Sequence, residues 1–503
     1  MKKHRDRKKG PFKRTWIREF IAFTLAFVIM VPLFPEVFAN DSKTVVEPTC
    51  TEPGQILTED SETHSITAET VPALGHSFGE WETISDSCYE SRTCMVCGYT
   101  EYRLPESREE AAVARLELTG DIWGINKKSK VTLDAAFSGQ NKEFNCYAIM
   151  TLQGHSTLDL NKPNFTIRFY DDHEGNAKHK LIFNDWQKEH KYILKADYYD
   201  VTQCRNIVGA RLWRAVTASR ENLHPRIAAL PTLGASDGFP VSVWLNGDFF
   251  GLYTMCLHKD DDLYGMEKGE REAILICNAN SEDEAEFRAL AELDEEGVHN
   301  WEVEFCGTED YTWAKDGFNS LIDFVMNSSD EEFRTGLSEY LDVDAAIDYL
   351  IFIYAMGLTH SGTKDLVMLN YGDVWIPSAY DMDEAFGMMP KGRGTYAPDV
   401  FLPACVDGVW TSDTDSLLWD RLLQNYGEEI KARYKELRKD ALSDENILSV
   451  VDTFIGEIPE TLYMRDAECY PGRLSASDMT LQIHHYLSKR LSLLDGILGG
   501  EQS

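Results

Sequence analysis

The spacing of apolar residues changes once along this chain, at about Cys277, and that change restricts the fold more than any other feature. Before it, from Arg115 onward, strand-like stretches follow one another: RLELTG, KVTLDAAF, CYAIMTLQG, FTIRFY, HKYILKA, FPVSVWLNG and FFGLYTMCL, separated by Gly, Asn and Asp turns. LNGDFFGLY reads as a hairpin with Asn246-Gly247 at the turn, where left-handed backbone is needed. One helix interrupts the series around Thr202 to Thr217, where NIVGARLWRAV has helical spacing. After Cys277 the period becomes that of a helix, and helices are expected over Phe318–Met326, Val343–Leu358, Asp415–Leu442 and Ser477–Leu498. The pattern predicts an α+β chain, with a β-rich lobe at 107–280 followed by an α-rich lobe at 281–500.

The N-terminal end follows other rules. A basic head, KKHRDRKKGPFKRTWIR, precedes the uncharged run Phe20 to Phe34 and then Val37-Phe38-Ala39. This order predicts a signal peptide over 1–39, cleaved after Ala39, and hence a secreted or cell-surface protein. An uncleaved membrane anchor is the alternative, against which stand the shortness of the apolar run and Pro32 and Pro35, since a span takes about 20 residues. The net charge of −35 makes nucleic acid and anionic lipid poor partners for the main body, because phosphate binding needs a basic face. With 503 residues, 43% of them hydrophobic, the chain has enough apolar surface for a sizeable core.

Eleven cysteines are too few for a disulfide scaffold at this length. Cys146, Cys204, Cys256, Cys277, Cys306, Cys405 and Cys469 are isolated and read as buried free thiols. The segment 40–106 is polar and loop-rich, with a faint repeat: PTCTEPG runs to VPALGHS, and DSCYESRTCMVCGYTEYRLP begins the pattern again. It resembles small cysteine and "ALGH" repeats of secreted proteins from anaerobic Gram-positive bacteria. The second copy holds Cys88, Cys94 and Cys97, with C-x-x-C spacing, and His76 lies upstream, so Zn²⁺ in a knuckle is one reading and reduced thiols or a local disulfide the other. PESREEAA, from Pro105, reads as the linker into the main domain.

The chemistry concentrates in GLTHSGTKDLVMLNYGDVWIPSAYDMDEAFG, Gly357 to Gly387. Asp381 and Asp383 lie two apart at the end of the expected strand DVWIPSAY, and on extended backbone both would point to one side. The D-x-D pair alone is a weak signal, because it recurs at Asp342/Asp344 and Asp413/Asp415 in this acidic chain. The order is more informative: a helix end, His360, Asp365, a hydrophobic strand pair, then Asp381. Protein kinases arrange a base, a metal ligand and a second metal-binding Asp in that order, since phosphoryl transfer needs oxygen ligands holding Mg²⁺ against the phosphates and one group orienting the attacking hydroxyl.

Several separated stretches carry a resemblance to the spore coat protein H (CotH) kinase-like family, over about Leu116 to Leu498. They are LQGHSTLDLNKPNFTIRFY, YILKADYYDVTQCRNIVGARLW, DGFPVSVWLNGDFFGLYTM and SAYDMDEAFG. The resemblance implies an atypical protein-kinase-like two-lobe fold on a secreted or surface-associated enzyme that binds Mg²⁺ and ATP and phosphorylates exported or cell-surface proteins. No glycine-rich G-x-G-x-x-G loop occurs in the chain, as the family also lacks one. Asp381 matches the family's metal-binding Asp, Asp383 its companion, and Lys364 a family position; Asp365 stands as a further metal ligand. Two positions depart from the pattern: His360 where the family's catalytic loop commonly has Asp, and Asp365 where it has Asn. A neutral imidazole accepts a proton near neutral pH, so His360 and Asp381 are the catalytic candidates; a helix-terminal His that caps carbonyls is the competing reading.

Lys364, Lys162 and Lys259 are the candidates for binding the nucleotide phosphates, while Asp200, Arg205 and Asn206 read as a cluster holding their helix to the sheet. Trp375 and Phe386 are expected to pack beneath the metal loop. KGRGTYAPDVFLPACVDG, between Met388 and Asp413, fits either a substrate-facing lid or a surface insertion. Two alternatives to the kinase reading stand beside it: a catalytically silent spore-coat, matrix or surface binding module, and, more weakly supported, a hydrolase using Asp381 and Asp383.

Overall fold

The computed structural model describes residues 42–60, 65–83, 90–103, 113–154, 157–158, 160–278, 282–295 and 298–500. The expected signal segment, the linker after Pro105 and Cys88 lie outside these. Two compact units are present, Met1–Arg103 and Leu104–Ser503. No helix among the described residues is long and apolar enough to cross a membrane.

The first unit is richer in strands than its polarity suggests. β1 (Ser42–Val46), β2 (Gly54–Glu59) and β3 (Ile66–Val71) form one antiparallel sheet, and β4 (Glu82–Thr83), β5 (Glu90–Thr93) and β6 (Thr100–Arg103) another. The expectation of a loop-rich segment is corrected accordingly. Thr, Val and Ile favour these strands, but most of their side chains are exposed, so no apolar alternation marks them.

In the second unit, the stretches expected as strands close into one barrel: β7 (Ala114–Thr119), β8 (Val131–Gly139), β9 (Lys142–Gln153), β10 (Asn164–Tyr170), β11 (Lys191–Lys195), β12 (Gly238–Leu245) and β13 (Asp248–Leu257). The order is β10-β11-β13-β12-β7-β8-β9, antiparallel throughout except for β12 beside β7. The β12–β13 turn has Asn246 at φ 53° and Gly247 at φ 90°, the conformation its Asn-Gly pair favours. Alternation decides what each strand faces. Tyr192, Leu194, Tyr253 and Met255 join the apolar cluster of the barrel interior. Ile193, Leu252 and Cys256 point outward and pack with Ile207 and Val208 of the helix Arg205–Ala218.

The remainder is not purely helical. β14 (Ala273–Cys277), β15 (Leu293–Asp294), β16 (Trp301–Cys306), β17 (Leu366–Asn370) and β18 (Trp375–Ala379) form a second sheet in the order β15-β16-β14-β17-β18. One face of it, with Leu275, Leu366 and Met368, packs with the helices; the other, with Ile274, Val367 and Leu369, belongs to the cluster of the barrel interior. The β-rich then α-rich expectation is therefore coarser than the fold, which sets a closed barrel and a separate mixed sheet within one α/β unit.

Helices occur at Thr312–Asn327, Val343–Met356 and Ala476–Leu498, near the expected places. The helix expected over Asp415–Leu442 is two, Leu417–Asn425 and Gly427–Leu437, because the backbone leaves helical geometry at Tyr426. Helix Val343–Met356 is buried along nearly all its length, and Gly357 ends it in left-handed conformation at φ 69°. Every described cysteine is a free thiol; Cys204, Cys256 and Cys277 are buried, but Cys405 and Cys469 are exposed, against expectation. Cys405 stands on the hairpin Ala404–Thr411 and Cys469 ends a helix, where a single cysteine has no apolar stripe to join.

Candidate active site

The β17–β18 hairpin brings the acidic residues together. Leu366 pairs with Ala379, so Asp365, just before β17, and Asp381, just after β18, emerge from the same end of the ladder. Both adopt left-handed backbone, at φ 60° and φ 52°. The Asp365 amide donates to the Cys277 carbonyl at 2.8 Å, tying this end to β14. Between the two aspartates of the D-x-D pair, Met382 turns inward and is buried. It lies against Gly209 of the helix Arg205–Ala218 so closely that a Cβ on Gly209 would come within 2.8 Å of the Met382 sulfur. Anchoring Met382 leaves the flanking Asp381 partly exposed and Asp383 exposed at the cleft.

Lys195 meets this corner from the barrel. As the last residue of β11 it continues the outward-facing set begun by Ile193, and its ammonium lies 2.5 Å from Asp381 Oδ1. Burial works against the charge on both groups, but their attraction outweighs it: Lys195 is held well above the usual lysine range and Asp381 below the usual carboxylate range. Asp383 and Asp365 move the other way. Burial and the neighbouring Asp381 raise Asp383 well above its usual value and push Asp365 up to about 7. Asp383 is nevertheless open to the cleft, so water reaches it from that side while protein and like charge crowd it from the others. Lys364 lies 3.8 Å from Asp365, and that carboxylate raises its pKa.

His360 stands in the turn after helix Val343–Met356. Tyr349 and Trp419 donate to the carbonyls of Ser361 and Gly362, at 2.6 and 2.8 Å, and so fix this turn from two helices. The His360 imidazole meets Glu384 through Nδ1, 2.7 Å from Oε2. That contact orients the ring and directs Nε2 away from Glu384.

The cleft continues from Asp383 and Glu384 past Lys195, Asn164 and Asp197 to Lys391 and Gly392. Asp197 accepts from Asn206 at 3.0 Å through one oxygen, while its other buried oxygen has no hydrogen-bond partner; burial and Asp200 push it up to about 6. Lys162 borders this cleft, but its ammonium is fully buried, 3.0 Å from Asp466, and also donates to the Leu252 carbonyl. Its charge is thus taken up within the fold. Lys259 pairs with Glu304 and lies 5.8 Å from the centre of the Tyr380 ring, close enough to help lower the pKa of Asp381.

Arg205 and Asp200 are buried as an ion pair at 3.5 Å, and Arg205 reaches across to the Ala385 carbonyl and to Gln482. They brace the segment that follows Asp383. Trp375 and Phe386 are buried, Trp375 against Phe318 with ring centres 5.1 Å apart. Gly387, at φ 79°, has no room for a side chain, since a Cβ would lie 2.3 Å from the Tyr486 ring. The loop beyond divides in two: Met388 to Gly392 borders the cleft, whereas buried Arg490 holds the carbonyls of Pro398, Val400 and Phe401.

The donor set is all oxygen, which suits a hard cation. Among the described residues, groups of three or more ligating side chains with atoms within 4.8 Å of one another occur at Cys50, His76, Cys94 and Cys97 and at Glu189, Asp260 and Asp262; the Asp365, Asp381 and Asp383 set is more widely spread. Mg²⁺ is usually held by one or two carboxylates together with phosphate oxygens and water, so this spacing fits an ion shared with a phosphate better than one caged by protein. Lys195, Asp197 and Glu384 were not singled out by the sequence motifs. A signal existed for Lys195, a charged residue closing the apolar strand KYILK on the same side as Ile193, and Glu384 follows the D-x-D pair directly.

The family model described as "CotH kinase protein" matches residues 150–494, more than half of the chain. No curated protein matches it.

Proposed function

The chain belongs to the CotH kinase family, and from that premise we propose that it is an exported, Mg²⁺-dependent phosphotransferase that moves the γ-phosphoryl group of ATP onto hydroxyls of exported or cell-surface proteins. A kinase-like two-lobe arrangement, with the barrel as one lobe and the helices as the other, goes with this reading. The observation that carries it is the Lys195–Asp381 pair with Asp365 and Asp383 close enough to feel its charge, Lys195 and Asp383 lining the cleft. When bound, Mg²⁺ would neutralise charge on the phosphates. Asp381 and Asp365 would hold it, with Asp383 next to them. Lys195 keeps Asp381 ionised and aimed; Lys364 and Lys195 supply positive charge at the cleft for phosphate oxygens. His360, oriented by Glu384, would take the proton of the acceptor hydroxyl at Nε2.

Transfer of label from γ-labelled ATP to protein, with and without a chelator, tests this reading. The proposal expects transfer that requires Mg²⁺ and falls in Asp381→Asn and His360→Ala. Nucleotide binding without any transfer, to a range of protein acceptors and to itself, would favour the silent surface module.

A further inference from the structure

The described residues of the first compact unit form almost no apolar core. Among its described residues the only buried side chains are two thiols, Cys50 at 6% exposure and Cys94 at 1%. A unit of this size normally needs a staple in place of a core. The two thiols belong to a cluster that also includes the half-buried His76 and the exposed Cys97, with all four ligand atoms within 4.8 Å of one another.

We propose that Cys50, His76, Cys94 and Cys97 bind one structural Zn²⁺ ion. This site lies within the first unit and does not rest on the phosphotransferase reading. A tetrahedral site with Zn–S bonds of ~2.3 Å has S···S edges of ~3.8 Å, and with Zn–N of ~2.0 Å its S···N edges are ~3.5 Å. Cys50 Sγ lies 3.8 Å from Cys94 Sγ, and Cys97 Sγ lies 3.3 Å from His76 Nδ1. A disulfide needs its sulfurs ~2.05 Å apart and would leave one thiol and the imidazole without purpose.

The backbone holds the four residues for this role. Gly75, next to His76, donates to the Cys50 carbonyl at 3.0 Å, and Leu74 to Thr49 at 2.9 Å. The Ser77 amide donates to Cys94 Sγ at 3.3 Å, as backbone amides do to zinc-bound thiolates. Gly98 donates to the Cys94 carbonyl at 2.9 Å and closes the turn of the C-x-x-C. The imidazole stacks on Tyr99, ring centres 4.9 Å apart, which sets its plane. The ligand set differs from the one expected from spacing, with Cys50 of the first repeat copy in place of Cys88. Although the first copy has no C-x-x-C, its lone cysteine reaches the second copy's pair.

The test uses the full chain, reduced, supplied with Zn²⁺ and desalted. Elemental analysis should find about one zinc per chain in the wild type and in Cys88→Ser, and almost none in Cys50→Ser. Zinc retained by Cys50→Ser, zinc lost from Cys88→Ser, a wild type without zinc, or iron in its place would each overturn the assignment. Since Cys50→Ser could lose metal merely by unfolding, alkylation of the wild type provides the second measurement. Mass mapping should show Cys50, Cys94 and Cys97 protected by Zn²⁺ and exposed by chelator, with Cys88 labelled in both. Equal labelling of Cys50 with and without zinc would overturn the site even if zinc were present.

Discussion

The Lys195 ammonium lies 2.5 Å from the Asp381 carboxylate although 186 positions separate the two residues. One ends a barrel strand and the other leaves the hairpin of the second sheet, so the contact locks the barrel to the acidic corner. Lys195→Met would leave Asp381 among Asp365 and Asp383 without its ion-pair partner, and with only the weaker pull of Lys364 and Lys259. The expected cost is about 1–3 kcal/mol, less than for a fully buried pair because the Asp381 side chain is 35% exposed, together with loss of phosphoryl transfer. Thermal unfolding and the labelled-ATP assay measure the two effects separately; full transfer activity in a folded Lys195→Met would remove this lysine from the site.

His360 and Glu384 are expected to act as one unit. His360→Ala should lower transfer about 100-fold, at the low end for a general base, and leave nucleotide affinity unchanged. Glu384→Gln should cost less, and in the double variant should add nothing further, since Glu384 acts through the imidazole. Additive losses in this double-mutant cycle would show that Glu384 has a role of its own.

Stability also depends on a buried charge that does not line the cleft. Asp348, buried in helix Val343–Met356, accepts from Arg220 at 2.9 Å and from Arg433 at 2.7 Å. Asp348→Ala leaves two guanidinium groups facing an apolar helix and should destabilise the fold by about 3–5 kcal/mol. Chemical denaturation reads this directly, and a change below about 1 kcal/mol would mean that water replaces the carboxylate.

The pair beneath the cleft has a pH signature. Burial opposes the charge on Asp466, but Lys162 and Arg473 outweigh it, with help from the Leu252 amide, and its pKa is lowered. Burial is the larger influence on Lys162, whose pKa is lowered too. For Asp466 the sign follows from linkage: the stabilisation is present above the unfolded value of about 3.9 and is lost as pH falls through the folded one. The difference in Tm between wild type and Asp466→Asn should be full at neutral pH and shrink in acid. A difference independent of pH would assign the effect to packing alone.

The barrel strands were legible because each buries at least one face, and alternation or a solid apolar run follows from that. Their closure was not, since it depends on β7 lying parallel to β12, a contact between Ala114 and Val241 with no local signature. β17 and β18 are the strand pair expected before Asp381, but β14, β15 and β16 were not legible: a short run such as AILIC carries the same apolar composition as a buried helix turn, and β15 and β16 fall in the half that reads as helical. At the site, His360, Asp365 and Asp381 were visible through their order. Lys162 was a fair candidate by charge, and only the structure shows Asp466, 304 positions away, taking up that charge and Lys195 facing Asp381 instead. Long-range ion pairs of this kind leave no trace in spacing.

The most direct measurement of the central claim is the thermal shift of the purified chain with Mg²⁺ and a non-hydrolysable ATP analogue, compared with analogue plus chelator and with Asp381→Asn. Binding to the native state at about 100 times Kd adds about 2.7 kcal/mol, enough to read as a rise in Tm. The account predicts that rise for the wild type with Mg²⁺, and little or none with chelator or in a folded Asp381→Asn. An equal rise in all three, or none in the wild type, would contradict it.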